Sequence, residues 1–446
     1  MAQQSRTLFF MHDLPQSSYV NPAIQPKCVF FVGVPALTSH YFNISSTALS
    51  YNDFATDKTH LDLSRMPDKL KRINYVTAEV QLNLLSAGYV HNNFYFSFNI
   101  AEKLSAKAFF PKNLTELVIN GNDSFVGETM VTRGLGASAY HYREYSIGVA
   151  QDVDWNYQWG VRAKLLFGKA NLNSQTSGIR FTTEGYSYDL QADWAYQINT
   201  SFPLAIQQVD GEVQIDEIGL QEIDPFKYLL NPKNMGFAID AGFVYRNETV
   251  TWSGSMLDFG VLRWKTDVNS FTSNGTFIYE GVTINDSFNS EEFVETMTDS
   301  IINQLTVMLE PISSYYTFIP AKINLGLSYE LHPKLNAGLL FRTEFYPRGA
   351  TPSLTFSLNT IQLDKFVGSV SYSVMNGSFN NFGLGFGIGG ESFIFHAISD
   401  NVLGFISPQN AHTANIRFGL HLLFGCKQKH RGFKYSGPGC AGILPD

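Results

Sequence analysis

The feature that most constrains this chain is a period of two. From Tyr157 to Phe167 the odd positions read Tyr157, Trp159, Val161, Ala163, Leu165 and Phe167, while Gln158, Gly160, Arg162 and Lys164 fall between them. Successive side chains of a strand point to opposite faces, so this segment has one apolar face and one polar, charged face. Its length matches the roughly nine to eleven residues that a tilted strand needs to cross a bilayer. The pattern returns at Ala321, Ile323, Leu325, Leu327, Tyr329 and Leu331, set against Lys322, Asn324, Gly326, Ser328 and Glu330. His332-Pro333-Lys334 then reverses the chain, and Leu335, Ala337, Leu339, Phe341 and Phe345 oppose Asn336, Gly338, Arg342 and Glu344, which reads as a hairpin. Thr413 to Gly425 alternates Ala414, Ile416, Phe418, Leu420, Leu422 and Phe424 with Asn415, Arg417, Gly419 and His421. Tyr186, Tyr188, Leu190, Ala192, Trp194 and Tyr196 against Asp189, Gln191, Asp193 and Gln197 is expected to be a further membrane strand with its acids turned inward.

Other strands are expected near 93–101, 104–110, 135–142, 145–152, 237–246, 256–264, 275–284, 352–360, 366–375, 382–389 and 392–398. Any one of them alone fits a half-buried strand of a soluble sandwich. Such strands average about five or six residues, however, and these are often longer, with aromatic ends. Composition agrees: 16% of residues are charged, against about a quarter in soluble domains, so charge is not what keeps the surface solvated. No apolar run is long enough for a membrane helix, and the mean hydropathy of −0.08 is what cancelling faces produce. The fold expected is all-β, a transmembrane antiparallel up-and-down barrel in contact with membrane lipid. A net charge of −8 without a basic stripe excludes a nucleic-acid partner.

Three regions break the alternation. Residues 1–72 are irregular, with Pro15, Pro22, Pro26 and Pro35, and are expected to hold a plug and a first strand; residues 73–425 form the barrel. Insertions near 199–235 and 284–318 carry helices. Phe293, Met297, Ile301 and Leu305 recur at helical spacing after Ser290-Glu291-Glu292, so 290–309 reads as an amphipathic helix that serves as a lid, docks a partner or simply covers the mouth. Asn113–Ile119 and Asp224–Leu230 are shorter candidates. Residues 426–446 form a basic periplasmic tail that either meets lipid head groups or partners, or is merely solvated. Met1-Ala2-Gln3-Gln4 lacks the marks of a signal peptide, which reads as mature-chain numbering. Cys28, Cys426 and Cys440 allow a Cys426–Cys440 or a Cys28–Cys440 bridge, and spacing does not choose.

Leu14-Pro15-Gln16-Ser17, Asn21-Pro22-Ala23 and the strand Val29 to Pro35 resemble a family of Bacteroidota outer-membrane proteins related to FadL-type and PorV-type barrels. The resemblance implies about fourteen strands, an N-terminal segment at or in the lumen, and the outer membrane of a Gram-negative, Bacteroidota-type bacterium. It also implies one of two functions: handling of hydrophobic small molecules across that membrane, or service as an accessory subunit binding other outer-membrane or periplasmic proteins. A conduit should show an apolar pocket beside the N-terminal segment and a lateral opening at a kinked strand. An accessory barrel should show a sealed lumen.

Chemistry finds little support. Gly-x-Ser-x-Gly, His-Glu-x-x-His and phosphate-loop patterns are absent, no Cys/His cluster offers a metal site, and no cofactor is expected, so the chain reads as a non-enzyme. Gly385-Phe386-Gly387-Ile388-Gly389-Gly390 lies in an alternating strand, where a row of lumen-facing glycines admits a close neighbour. Arg162, Lys164, Glu330, Arg342, Glu344 and Arg417 are the expected lumen charges, bracing the interior or tuning what passes. His396 and His421 read as strand positions.

Overall fold

The computed structural model describes residues 5–426 apart from 48–49, 51, 53–65, 204–205, 210–211, 216–223, 280–306, 347–348, 361–365 and 376–377. Two turns of 3₁₀ helix, Thr7–Phe10 and Pro15–Tyr19, come first and lie inside the barrel. The first stave of the wall is in two pieces, β1 (Cys28–Gly33) and β2 (Ser39–Ser46). β3 (Ile73–His91) and β4 (Phe94–Pro111) form a hairpin turned by Asn92 at φ 53°. After the rim strand β5 (Thr129–Arg133) come β6 (Gly136–Asp152) and β7 (Tyr157–Thr183). β8 (Leu190–Ser201) and the small hairpin β9 (Ile206–Val209) and β10 (Glu212–Ile215) follow. β11 (Asn234–Arg246) and β12 (Val250–Trp264) return to the wall, and β13 (Val268–Tyr279) and β14 (Met308–Glu310) leave it. β15 (Tyr315–Phe318) and β16 (Lys322–His332) share one stave. β17 (Leu335–Tyr346), β18 (Gly349–Thr360), β19 (Phe366–Met375), β20 (Ser378–Gly389), β21 (Phe393–Ser399) and β22 (Thr413–Cys426) complete the circuit.

β22 pairs with β1 and β2, so the sheet closes on itself as a 14-strand antiparallel barrel. Closure is what the bilayer demands, since a backbone N–H or C=O without a partner costs several kcal/mol in hydrocarbon. Outward side chains supply the greasy belt: Ile44, Ile147, Leu165, Phe237, Phe259, Leu325, Phe341, Phe356, Val370, Leu384, Phe395 and Phe424 are all exposed. Inward positions are small or polar. In β7 the alternation separates exposed Val161, Ala163 and Leu165 from buried Gly160, Arg162 and Lys164.

Connections at one end are all short, at 92–93, 153–156, 247–249, 333–334, 361–365 and 390–392, whereas the opposite end carries the long ones, 47–72, 112–135, 184–233, 265–314 and 400–412, beside two short links at 347–348 and 376–377. Short turns mark the periplasmic side of such barrels. Cys28 and Cys426 therefore lie at the periplasmic rim. They are disulfide-bonded, with Cα atoms 3.9 Å apart, because closure sets Cys28 directly opposite Cys426. Neither expected pairing with Cys440 occurs; Cys440 and the rest of the tail lie outside the described residues.

Several expected elements change place. Tyr186 to Gln197 is not a membrane strand: Tyr186 and Tyr188 sit in a turn, and β8 belongs to a ledge in which β5, the upper half of β7, β8, β13 and β14 extend the sheet above the outer rim. A free-standing sheet with two unlike faces alternates just as a lipid-facing one does. The expected strands 93–101 and 104–110 are one strand, β4, and 135–142 and 145–152 are one strand, β6. Short helices occupy Lys112–Asn120 and Pro225–Leu229, the second capped by the Asp224 side chain accepting from the Phe226 and Lys227 N–H groups. The expected helix with Phe293, Met297, Ile301 and Leu305 lies outside the described residues.

Candidate functional site

The lumen is layered, beginning with the N-terminal segment in the periplasmic half. Leu8, Phe9, Phe10, Met11 and Leu14 are at most 4% exposed and form one apolar cluster with Phe31, Tyr95, Leu340, Val367, Ile394 and Ile398 of the wall. Glycines make room for them. A Cβ on Gly338 would stand 2.7 Å from Phe10 Cδ2, one on Gly385 2.7 Å from Met11 Sδ, and one on Gly387 2.7 Å from Leu14 Cδ2. The glycine row thus receives the N-terminal segment. The Asn-Pro-Ala turn is seated the same way: Pro22 lies against Gly160, and Asn21 beside Gly242. Asn21 Nδ2 donates to the Phe243 carbonyl at 3.1 Å, and Asn21 Oδ1 accepts from Ala23 N–H at 3.0 Å. Pro15 opens the second 3₁₀ turn.

Polar contacts fix the same segment to the wall. Arg6 and Thr7 N–H groups donate to the Asp400 carboxylate at 3.2 and 2.8 Å, Arg162 Nη2 donates to the Ser18 carbonyl at 2.8 Å, and Ser255 Oγ donates to the Val20 carbonyl at 2.6 Å. Gln16 Nε2 lies 2.5 Å from His421 Nδ1, and the His421 and His396 rings are 6.1 Å apart. Among the described residues no group of three metal-ligating side chains exists.

Beyond it lies a layer of buried charge. Asp258 receives three ammonium groups: Lys164 at 2.5 Å, Lys322 at 2.8 Å and Lys103 at 3.2 Å. Lys164 also meets Asp240 at 2.8 Å, Arg162 meets the same carboxylate at 3.3 Å, and Lys103 meets Glu144 at 2.6 Å. The aim of Asp258 comes from a bulge. Register slips between Ile239 and Ala241, Asp258 adopts φ 57°, and its N–H donates to Asp240 Oδ1 at 2.7 Å. The inward face of β12 consequently passes from Ser253, Ser255 and Leu257 to Asp258, Leu262 and Trp264. Toward the outer rim, Tyr142, Leu166, Leu262, Trp264, Tyr315 and Ile319 pack together as an apolar ceiling.

Of the charges expected in the lumen, Arg162, Lys164, Arg342, Glu344 and Arg417 are at most 4% exposed and face inward. Glu330 does not join them: it is exposed at the periplasmic end of β16, two residues short of the turn. Lys322, placed on a polar strand face by its alternation, joins them, and Lys103, Glu144, Asp240, Asp258 and Asp400, which the sequence did not single out, complete the cluster. A cavity of about 40 Å³ remains between the N-terminal segment and the wall, lined by Ser5, Tyr19, Asn83, Lys103, Arg342 and Arg417 among others. It is polar, contrary to the apolar pocket expected of a conduit, because inward positions at this height carry amides and charges.

The wall beside this cavity is interrupted. Between the pairs Gly33–His421 and His40–Phe418, six residues (34–39) stand opposite two (419–420). On the other side, between Val32–Ala87 and Ser39–Asn83, six residues (33–38) stand opposite three (84–86). Pro35 and Ala36, the latter at φ 62°, loop outward with Leu37, which is 48% exposed. Val34 N–H still donates to Leu420 O and Leu420 N–H to Leu37 O, so β22 stays attached and the ladder to β3 is the one broken.

These features define the class: a closed outer-membrane-type β-barrel whose lumen holds its own N-terminal segment. The chain belongs to the family of unknown function DUF5723, whose profile matches residues 22–400. No curated protein sequence matches it. Among solved structures it is similar to the Ralstonia pickettii toluene transporter TbuX, with 9% identity over 92% of this chain and 93% of that one at a TM-score of 0.42. It is also similar to a Pseudomonas aeruginosa FadL homologue, with 10% identity over 93% and 95% of the chains at a TM-score of 0.38. Likeness at that level says nothing of what this chain handles.

Proposed function

We propose that this barrel passes small hydrophobic molecules between its lumen and the bilayer through the break in its first stave, with the N-terminal segment as the plug that shifts to admit them. The observation that carries this reading is the lost pairing between residues 33–38 and 84–86. Its outer lip is apolar (Val34, Pro35, Ala36, Leu37), and the lumen cavity begins just inside, where Asn83 pairs with Ser39 and Arg417 Nη1 donates to Ser39 Oγ at 3.1 Å. An apolar solute leaving sideways avoids the aqueous periplasm, and a sheet opens at least cost where its ladder is already missing.

Removing residues 34–37 brings β1 and β2 into continuous register with β22 and shrinks the break against β3 to a one-residue bulge, two residues (33 and 38) opposite three (84–86), which tests the reading. Cells carrying the deletion should take up the hydrophobic probe N-phenyl-1-naphthylamine at the rate of cells lacking the protein, while wild type takes it up faster. Equal uptake by wild-type and deletion strains, both folded, excludes the route.

A second reading, an accessory barrel that binds other envelope proteins as PorV-type barrels do, is favoured by the filling of the lumen by the N-terminal segment and the charged layer, beside which the cavity described is small. Isolation in mild detergent separates the two: partner proteins at fixed stoichiometry favour the accessory role, and extracted apolar compounds favour the conduit.

A further inference from the structure

The cavity is lined by donors, and guanidinium N–H groups among them have nothing to donate to. Arg342 Nη1 reaches Asn324 Oδ1 at 2.9 Å, but Arg342 Nη2 has no partner, although the residue is only 3% exposed. Arg162 Nε is also buried without a partner, while the Tyr19 hydroxyl interacts with Ser86 and Asn83, and all four of Arg342, Arg162, Tyr19 and Asn83 line this one cavity. A buried polar group left unpaired costs about 1–3 kcal/mol, more when charged, so a cluster of them on one void calls for an occupant.

The charge balance says what kind. The two carboxylates on the lining, Glu144 and Asp258, are both engaged by lysines. Arg417 spends its guanidinium on neutral acceptors, Ser5 Oγ at 2.9 Å, Ser39 Oγ at 3.1 Å and Gln81 Oε1 at 3.3 Å. Among the described residues neither Arg342 nor Arg417 has a carboxylate within salt-bridge distance. Two buried guanidinium groups therefore face a space rimmed by further N–H and O–H donors, a setting that favours an anion.

We propose that this cavity is a binding site for a small oxyanion, which accepts from Arg342 Nη2, draws Asn83 Nδ2 and the Tyr19 hydroxyl away from their contact with each other, and is held by the charge of Arg417. A cavity of about 40 Å³ takes a few water-sized groups, which suits a phosphate-type group and excludes a bulky one. Tyr19 comes from the N-terminal segment and the other three groups from the wall, so the anion ties that segment to the barrel. The proposal stands whether or not solutes pass through the wall.

Inorganic phosphate and hexyl phosphate, titrated calorimetrically into the detergent-solubilised full chain in chloride-free buffer, test it. Wild type should bind one equivalent. Arg342→Gln should weaken binding about tenfold or more, Arg342→Lys should recover most of it, and Asn83→Ala should weaken it about threefold without altering charge. Persistence of the compact, heat-modifiable band on a gel verifies folding of each variant, and Asn83→Ala carries the test if Arg342→Gln fails to fold. Equal affinity for the two ligands identifies a free oxyanion, and a tenfold or greater preference for hexyl phosphate identifies the head group of an amphiphile; both support the site. No heat from either ligand, or unchanged affinity in the folded variants, overturns it and leaves the cavity to water.

Discussion

Asp258 is the residue on which the charged layer turns, since three ammonium groups meet on its two oxygens and Asp240 fixes its backbone. Asparagine tolerates the same left-handed conformation, so Asp258→Asn removes charge without backbone strain. Leaving three buried lysines short of their carboxylate should cost about 3–5 kcal/mol, read as a lower urea midpoint for unfolding in detergent micelles. Gly338→Leu makes the complementary test on the apolar layer. It sets a side chain where Phe10 now lies, and should cost about 1–3 kcal/mol and expose residues 5–27 to protease. Sequence reading reached some of this layer and not the rest, for a local reason. Arg162 and Lys164 stand in an unbroken alternation, so their face could be read directly. Asp258 stands at a bulge, where parity changes within β12 and a strict period of two assigns the wrong side. Lys103 fell into a gap assumed between two strands that are one. Arg342, Glu344 and Arg417 were legible by side, but no pattern in a single strand tells which charges from different staves will meet.

At the scale of elements, the first stave combines a covalent tie with a missing ladder. The disulfide holds β1 to β22 at the periplasmic rim, across a sequence separation of 398 residues, while a few residues further on β1 loses β3. Cys28→Ser should therefore lower stability by about 2–5 kcal/mol, seen as a drop in melting temperature that reducing agent reproduces in the wild type and does not add to in the variant. The bridge was not legible because it depends on closure: Cys28 and Cys426 are far apart in sequence and adjacent only once the last strand returns to the first. The hairpin of β16 and β17 was legible from its turn and two clean alternations. β8 was legible as a strand but not by location, since its two unlike faces look out from a ledge and not onto lipid and lumen. The N-terminal segment announced itself through its prolines and through the glycine row that receives it.

At the scale of the whole molecule, the outer face and the interior obey opposite rules. A charge on the belt has no water to meet, so Phe341→Arg, at a lipid-facing position of β17, should cost up to about 2–4 kcal/mol near the midplane, detected as a loss of the heat-modifiable folded band. Inside, charges are abundant and, apart from Arg342 and Arg417, largely paired with one another, and together with the N-terminal segment they fill the space that a fourteen-strand wall would otherwise leave open. The lumen is thus closed along its axis, and the break in the first stave is the proposed route to the bilayer. Conductance in a planar bilayer tests that closure most directly. Wild type should hold the current at the leak baseline, and a variant lacking residues 5–20 should add discrete steps. Stable conductance from the wild type, or a sealed bilayer with the folded deletion variant, would contradict it.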